Sequence, residues 1–153
     1  MPKVTVLIAA YNEEKNIKKC LKSVLDQTFK DYKILLLDDG STDETVIIAE
    51  DFMRDKSVDF EIIRSETNLG KISIINRNVF LLNTEYIAIL DADDEMYPHR
   101  LAEQVEYLDK NVNCDILVGQ QCLQLGNGST KILKPPMTHA QICTSLLSKT
   151  TML

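Results

Sequence analysis

The chain has 153 residues, of which 44% are hydrophobic and 26% charged, with a formal net charge of -6. That balance suits one globular domain and speaks against duplex nucleic acid as a partner, because phosphate neutralisation needs clustered Lys and Arg. A phosphate-bearing small ligand stays open, since a bound divalent cation inverts the local charge.

Val4 to Ala9 is a continuous apolar run with β-branched residues, which predicts a buried parallel strand. Asn12 then offers a helix cap, with Glu13 and Glu14 in the first turn. Ile17, Cys20, Leu21, Val24 and Leu25 repeat at helical spacing and share one face. Lys33 to Leu37 is a second strand, followed by Asp38-Asp39-Gly40-Ser41, and Ser41 with Glu44 forms a capping-box pattern for the next helix. Val58 to Arg64 reads as a third strand, and Gly70 to Leu82 as a helix entered through Asn68-Leu69-Gly70.

A fourth strand spans Tyr86 to Leu90 and stops at Asp91-Ala92-Asp93-Asp94. Pro98 suits the first turn of a helix carrying Leu101, Val105 and Leu108. Ile116–Leu125 and Lys131–Leu133 flank Gly126-Asn127-Gly128-Ser129, the pattern of a hairpin. Pro135-Pro136 breaks the chain before a candidate helix from Thr138 to Leu147. Strands alternating with helices predict a mostly parallel central sheet with helices on both faces. Ligands of such sheets sit beyond the carboxyl ends of the strands.

Cys20, Cys114, Cys122 and Cys143 form no CxxC pair, so free thiols in the cytosol are expected. No run approaches the ~18 apolar residues of a membrane span. There is no Walker or GxGxxG glycine motif.

Four segments carry candidate chemistry. Asp91 and Asp93 at a strand end can converge on a hard cation, Mg²⁺ or Mn²⁺, with diphosphate oxygens completing the shell. Their structural alternative is a solvated acidic turn that caps the next helix. Asp38-Asp39 can accept from a base N–H or a ribose hydroxyl, or can simply build the turn with Gly40. Tyr11 can stack on a flat base, and small Ala9 and Ala10 let a ligand approach the backbone; alternatively Tyr11 packs over a turn. Lys71 can face a phosphate or a base carbonyl, or be a surface lysine.

Together these segments resemble the family 2 glycosyltransferases, inverting enzymes with a Rossmann-like GT-A fold. The matching stretches are Val4 to Glu14, Leu37 to Thr45, Asn68 to Lys71 with Arg77-Asn78, and Leu90 to Asp94 with Pro98, Arg100, Leu101 and Gln104. The resemblance is close over about residues 2 to 110. It implies that Ala9, Tyr11 and Glu13 line a nucleotide pocket, that Asp39 bonds the uracil or equivalent base, and that Lys71 lies near base or phosphates. It further implies that Asp91 reaches the ribose or a metal-bound water, that Ala92 fills a tolerant middle position, and that Asp93 ligates Mn²⁺ or Mg²⁺. The implied activity is inverting transfer of a sugar from a nucleoside diphosphate donor, UDP by default, to a saccharide or lipid-linked acceptor hydroxyl.

In such a family the general base and the acceptor surface lie downstream, so a single nucleotide-sugar-binding domain over 1–153, incomplete at its C-terminus, is expected. No catalytic base is assigned. Cytoplasmic placement, peripheral to the inner membrane face, and self-association through an uncovered apolar flank are further expectations. A non-catalytic nucleotide-sugar-binding module is the alternative. A phosphoacceptor signalling domain built on Asp38-Asp39 and Lys71 leaves Asp91-Ala92-Asp93 unexplained.

Overall fold

A computed structural model describes residues 1–126 and 128–133. The chain divides into two units, Met1–Lys110 and Asn111–Leu153. In the first, β1 (Val4–Ala10), β2 (Tyr32–Asp38), β3 (Phe60–Arg64) and β4 (Tyr86–Asp91) alternate with α1 (Ile17–Leu25), α2 (Thr45–Met53), α3 (Lys71–Asn78) and α4 (Arg100–Lys110). All three strand pairings are parallel, in the spatial order β3-β2-β1-β4. The chain therefore builds outward from β1 to β3, then returns to the other side of β1. Register aligns Ala9 with both Leu37 and Asp91, and Ala10 with Asp38, so these strand ends finish level.

Strand alternation divides the core. Val4, Val6, Ile8 and Ala10 of β1 lie on one face with Ile34 and Leu36 of β2 and Leu90 of β4. They meet Ile17, Cys20, Leu21 and Val24 of α1, Ala49 and Met53 of α2, and Leu101 and Val105 of α4. On the other face Leu7, Leu35 and Leu37 pack with Ile74 of α3. Helices thus cover both faces, and burying each large aliphatic side chain contributes roughly 1.5–3 kcal/mol. The edge strand β4 is covered on one side only: Ile87 and Ile89 are 41% and 49% exposed.

Two expected caps are used differently. Asn12 does not cap α1. Its φ is +57°, and its side-chain oxygen accepts the Thr42 amide at 2.9 Å. Residues 13 to 16 form turns, and α1 begins at Ile17. Ser41 does not cap α2 either, because its hydroxyl accepts the Asn12 amide at 2.9 Å. The carboxylate of Asp43 takes the Thr45 amide at 3.0 Å, and α2 starts there. Both departures have one cause: the β1–α1 and β2–α2 loops spend their polar groups on each other.

Other boundaries are shorter than the sequence suggests. β3 begins at Phe60, and α3 ends at Asn78, whose buried side-chain amide bonds back to the Ile74 carbonyl at 2.8 Å. A 3-10 turn over Val79–Leu81 follows. Pro98 stays in a loop, its carbonyl held by the Thr28 amide at 2.9 Å, so α4 starts at Arg100.

The second unit contains the expected hairpin. β5 (Gln121–Gln124) pairs antiparallel with β6 (Thr130–Leu133), with Cys122 opposite Ile132. The candidate helix over 138–147, Pro135-Pro136 and Cys143 lie outside the described residues. Cys20, Cys114 and Cys122 are free thiols. No helix among the described residues is long and apolar enough to cross a membrane.

Gly40 is a packing constraint as well as a turn residue. Its φ is +78°, and an added Cβ would lie 2.9 Å from the Thr67 carbonyl carbon. Gly40→Ala should therefore destabilise the fold by about 2 kcal/mol, read as a lower urea midpoint at unchanged slope. An unchanged midpoint would show that the Thr67–Asn68 backbone gives way freely.

Candidate functional site

A cavity of about 200 Å³ is lined by Ala9, Ala10, Tyr11, Glu13, Asp39, Lys71, Asp91, Ala92 and Asp93. It lies where β1, β2 and β4 end, beside the point at which strand order reverses. Ligands of open α/β sheets bind at such switch points. The structure brings together Ala9, Tyr11, Glu13, Asp39, Lys71, Asp91, Ala92 and Asp93, with Ala10, which the sequence offered beside Ala9 as room for a ligand. Asp38 is not among the lining residues: it is fully buried and pairs with Arg64 Nε at 3.2 Å.

Asp39 organises one wall. Its side chain is buried, and its two oxygens each accept a backbone amide, Leu69 and Gly70, both at 2.8 Å. Its own amide donates to the Ala10 carbonyl at 2.8 Å. Asp39 thus ties the end of β1 to the turn that launches α3. Gly70, with φ +85°, gives that turn its left-handed step. Lys71, the first residue of α3, then reaches Asp91, and the two form an ion pair across the cavity.

The first loop supplies Tyr11 and Glu13. Tyr11 is 44% exposed, so its ring is open to a ligand. The Glu13 amide donates to Thr45 Oγ1 at 2.7 Å, and its carboxylate accepts the Asn16 side-chain amide at 2.8 Å. Residues from the second loop therefore fix the first.

The third wall is the segment after β4. Ala92 is buried, which turns Asp91 and Asp93 on either side of it toward the cavity. The Asp94 amide donates to the Asp91 carbonyl at 3.0 Å, closing a tight turn. Burial pushes the Asp94 carboxyl above the usual carboxylate range, and the charges of Asp93 and Asp91 add to the rise. Burial also pushes the Cys20 thiol up to about 12, helped by the charges of Asp94 and Asp93. The protonated thiol donates to the Asp91 carbonyl at 3.6 Å.

Two positioning residues were not singled out from the sequence. Gln27 is fully buried, and its side-chain amide donates to the Tyr97 carbonyl at 2.8 Å while its oxygen accepts the Leu101 amide at 3.0 Å. Ser23 Oγ accepts the Met96 amide at 2.9 Å. Together they fasten the segment after Asp93 to α1. The available signal was spacing, because Gln27 falls three residues after Val24 and continues the apolar stripe. Arg100 adds a third tie, donating to the Ile89 carbonyl of β4 at 3.1 Å.

Among the described residues, no three His, Cys, Asp or Glu side chains are grouped to hold a metal ion. Asp91 and Asp93 are two all-oxygen donors. That suits a hard cation such as Mg²⁺, which is commonly held by one or two carboxylates plus phosphate oxygens and water.

A parallel sheet with this topology and an acidic cavity at its switch point fits the GT-A-type α/β fold that the family resemblance implied. The chain belongs to the glycosyl transferase family 2, whose pattern matches residues 5–141. An uncharacterised glycosyltransferase of Haemophilus influenzae is 33% identical over 156 residues, covering 95% of this chain and 48% of that protein. The chain thus spans less than half the length of that relative. The crystal structure of S. aureus TarS 1-349 in complex with UDP is similar at a TM-score of 0.66 and 29% identity, over 72% of this chain and 33% of that one. The mannosyltransferase PcManGT of Pyrobaculum calidifontis, in complex with GDP-Man and Mn²⁺, is similar at a TM-score of 0.65 and 26% identity, over 70% and 32% of the two chains.

Asp39→Asn replaces one of the two amide acceptors by a donor. It should cost about 1–3 kcal/mol of stability, the penalty for a buried donor left unpaired. Hydrogen exchange at the Leu69 and Gly70 amides should speed up relative to the sheet. Unaltered protection at both would mean that the turn is held by other contacts.

Proposed function

We propose that the cavity binds a nucleoside diphosphate sugar, with UDP as the nucleotide, together with Mn²⁺ or Mg²⁺. The whole protein would transfer the sugar to an acceptor hydroxyl with inversion. The observation that carries this reading is convergence: Tyr11, Asp39, Lys71, Asp91 and Asp93 come from four separate segments of the chain and meet in one cavity. The UDP complex of TarS and the GDP-Man and Mn²⁺ complex of PcManGT support it by similarity.

Each residue has a role suited to its surroundings. The exposed Tyr11 ring stacks on the base. The Asp39 oxygens keep a lone pair beyond the amides they already accept, and this takes a base N–H. Lys71, on its flexible stem, faces the diphosphate. Ala9 and Ala10 leave room for the ligand against the backbone.

Asp91 and Asp93 would hold the cation, which when bound supplies Lewis-acid neutralisation of charge on the leaving diphosphate. A sugar losing such a leaving group develops oxocarbenium character, as in glycoside hydrolysis. One attack from the opposite face then inverts the anomeric carbon. The attacking hydroxyl must lose its proton to a base. Among the lining carboxylates, Asp39 is committed to two amides and Glu13 to Asn16, and none is assigned that task.

Calorimetry with UDP and Mn²⁺ tests the donor site. The unaltered chain should bind UDP more tightly with the cation than without it. Asp93→Ala should remove that metal-dependent gain and leave the circular dichroism spectrum unchanged. Equal UDP affinity in both proteins with Mn²⁺ present would defeat the assignment. Incubation with UDP-sugar and acceptor saccharides, followed by assay of released UDP, separates transfer from binding alone. Donor binding with no release under any acceptor condition would identify this chain as a binding module.

A further inference from the structure

We infer that in the nucleotide-free protein Lys71 occupies the cation's place on Asp91, so that the divalent ion and the nucleotide enter as a coupled pair. The inference rests on the donor-site reading above and adds an order to it. The cavity is lined by the four carboxylates of Glu13, Asp39, Asp91 and Asp93 and by one basic side chain, Lys71. Asp39 is committed to the Leu69 and Gly70 amides, and Glu13 accepts from Asn16. Of the four, Asp91 is the one paired with Lys71, through Nζ on Oδ1.

The geometry suits a displaceable contact. The backbone that carries Lys71 is fixed, because the preceding Gly70 amide is held by Asp39. The side chain itself is mobile by construction, a four-carbon stem that is 49% exposed, and its Asp91 partner is 43% exposed. An exposed ion pair of this kind is weak and breaks readily when a better partner arrives.

A divalent cation coming alone must first displace the ammonium from Asp91, and it brings no anion of its own to receive that ammonium. A nucleoside diphosphate changes both sides of that exchange. Its phosphate oxygens accept Lys71 and contribute ligands to the cation, so Asp91 is released as the cation needs it. By linkage, whatever factor the nucleotide adds to cation affinity, the cation adds to nucleotide affinity.

The test measures Mn²⁺ binding to the chain without nucleotide, by electron paramagnetic resonance of the free ion. The proteins compared are the unaltered chain, Lys71→Met, Asp91→Asn and the double variant; parallel titrations include UDP. Lys71→Met should raise affinity for Mn²⁺ alone by about tenfold, within the usual range of coupling between sites. It should also shrink the increase in Mn²⁺ affinity that UDP produces. In the Asp91→Asn background the same change should do nothing, because the contested carboxylate is gone; such a cycle isolates the pairwise effect.

An equal gain in both backgrounds would mean that Lys71 acts only through its general positive field, and would overturn the inference. So would unchanged Mn²⁺ affinity in Lys71→Met while UDP binding stays metal-dependent, and then the donor-site reading stands. Failure of the unaltered chain to bind Mn²⁺ even with UDP would remove the metal from the donor-site reading and the inference with it.

Discussion

The carboxylate of Asp39 is buried and accepts two backbone amides, those of Leu69 and Gly70, one on each oxygen. Much of the cavity follows from that clamp. A buried anion is costly unless it is fully hydrogen-bonded, and the turn before α3 supplies the bonds. In return the turn is fixed, which sets the first residue of α3 and brings Lys71 across to Asp91. Gly40 completes the arrangement from below. Its missing side chain lets the backbone at Thr67 and Asn68 approach closely enough for the clamp to close.

The sheet makes the clamp possible. β1 sits between β2 and β4, and their carboxyl ends finish level. Three loops therefore emerge side by side, although they are distant in sequence. Their polar groups bond across loops: Asn12 with Thr42, Ser41 with Asn12, and Thr45 with Glu13. The outcome is a rim in which the Asn12, Glu13 and Thr42 amides are paired across loops and acidic side chains line the cavity. Such cross-loop bonding fixes the backbone of the cavity walls.

The β4–α4 segment is held by a different device. Its acids crowd one another, and burial with mutual repulsion raises the Asp94 carboxyl. Left to itself, repulsion would spread the segment. The buried Gln27 and Ser23 of the first helix region bind its backbone, and Arg100 bonds to the Ile89 carbonyl of the preceding strand. These ties hold Asp91 and Asp93 at the cavity, Asp91 paired with Lys71.

The order of elements and the parallel sheet were legible in the sequence, and the nine residues that line the cavity were all named there, several through the family resemblance. A short, largely apolar and β-branched run such as Val4 to Ala9 favours a buried strand, and in a parallel sheet the residues that end such strands gather at one edge. The caps at Asn12 and Ser41, the start of α1 and the roles of Gln27 and Lys71 were decided by the tertiary structure. Asn12 and Ser41 have the right chemistry for local caps, but partners some 30 positions away in the chain won them. Periodicity and capping are short-range properties, read over a few residues. Which loop lies beside which depends on strand order, and that is fixed only when the whole core is buried. The same residues that mark strand ends in the sequence thus acquire their particular hydrogen bonds, and their charge partners, from the fold.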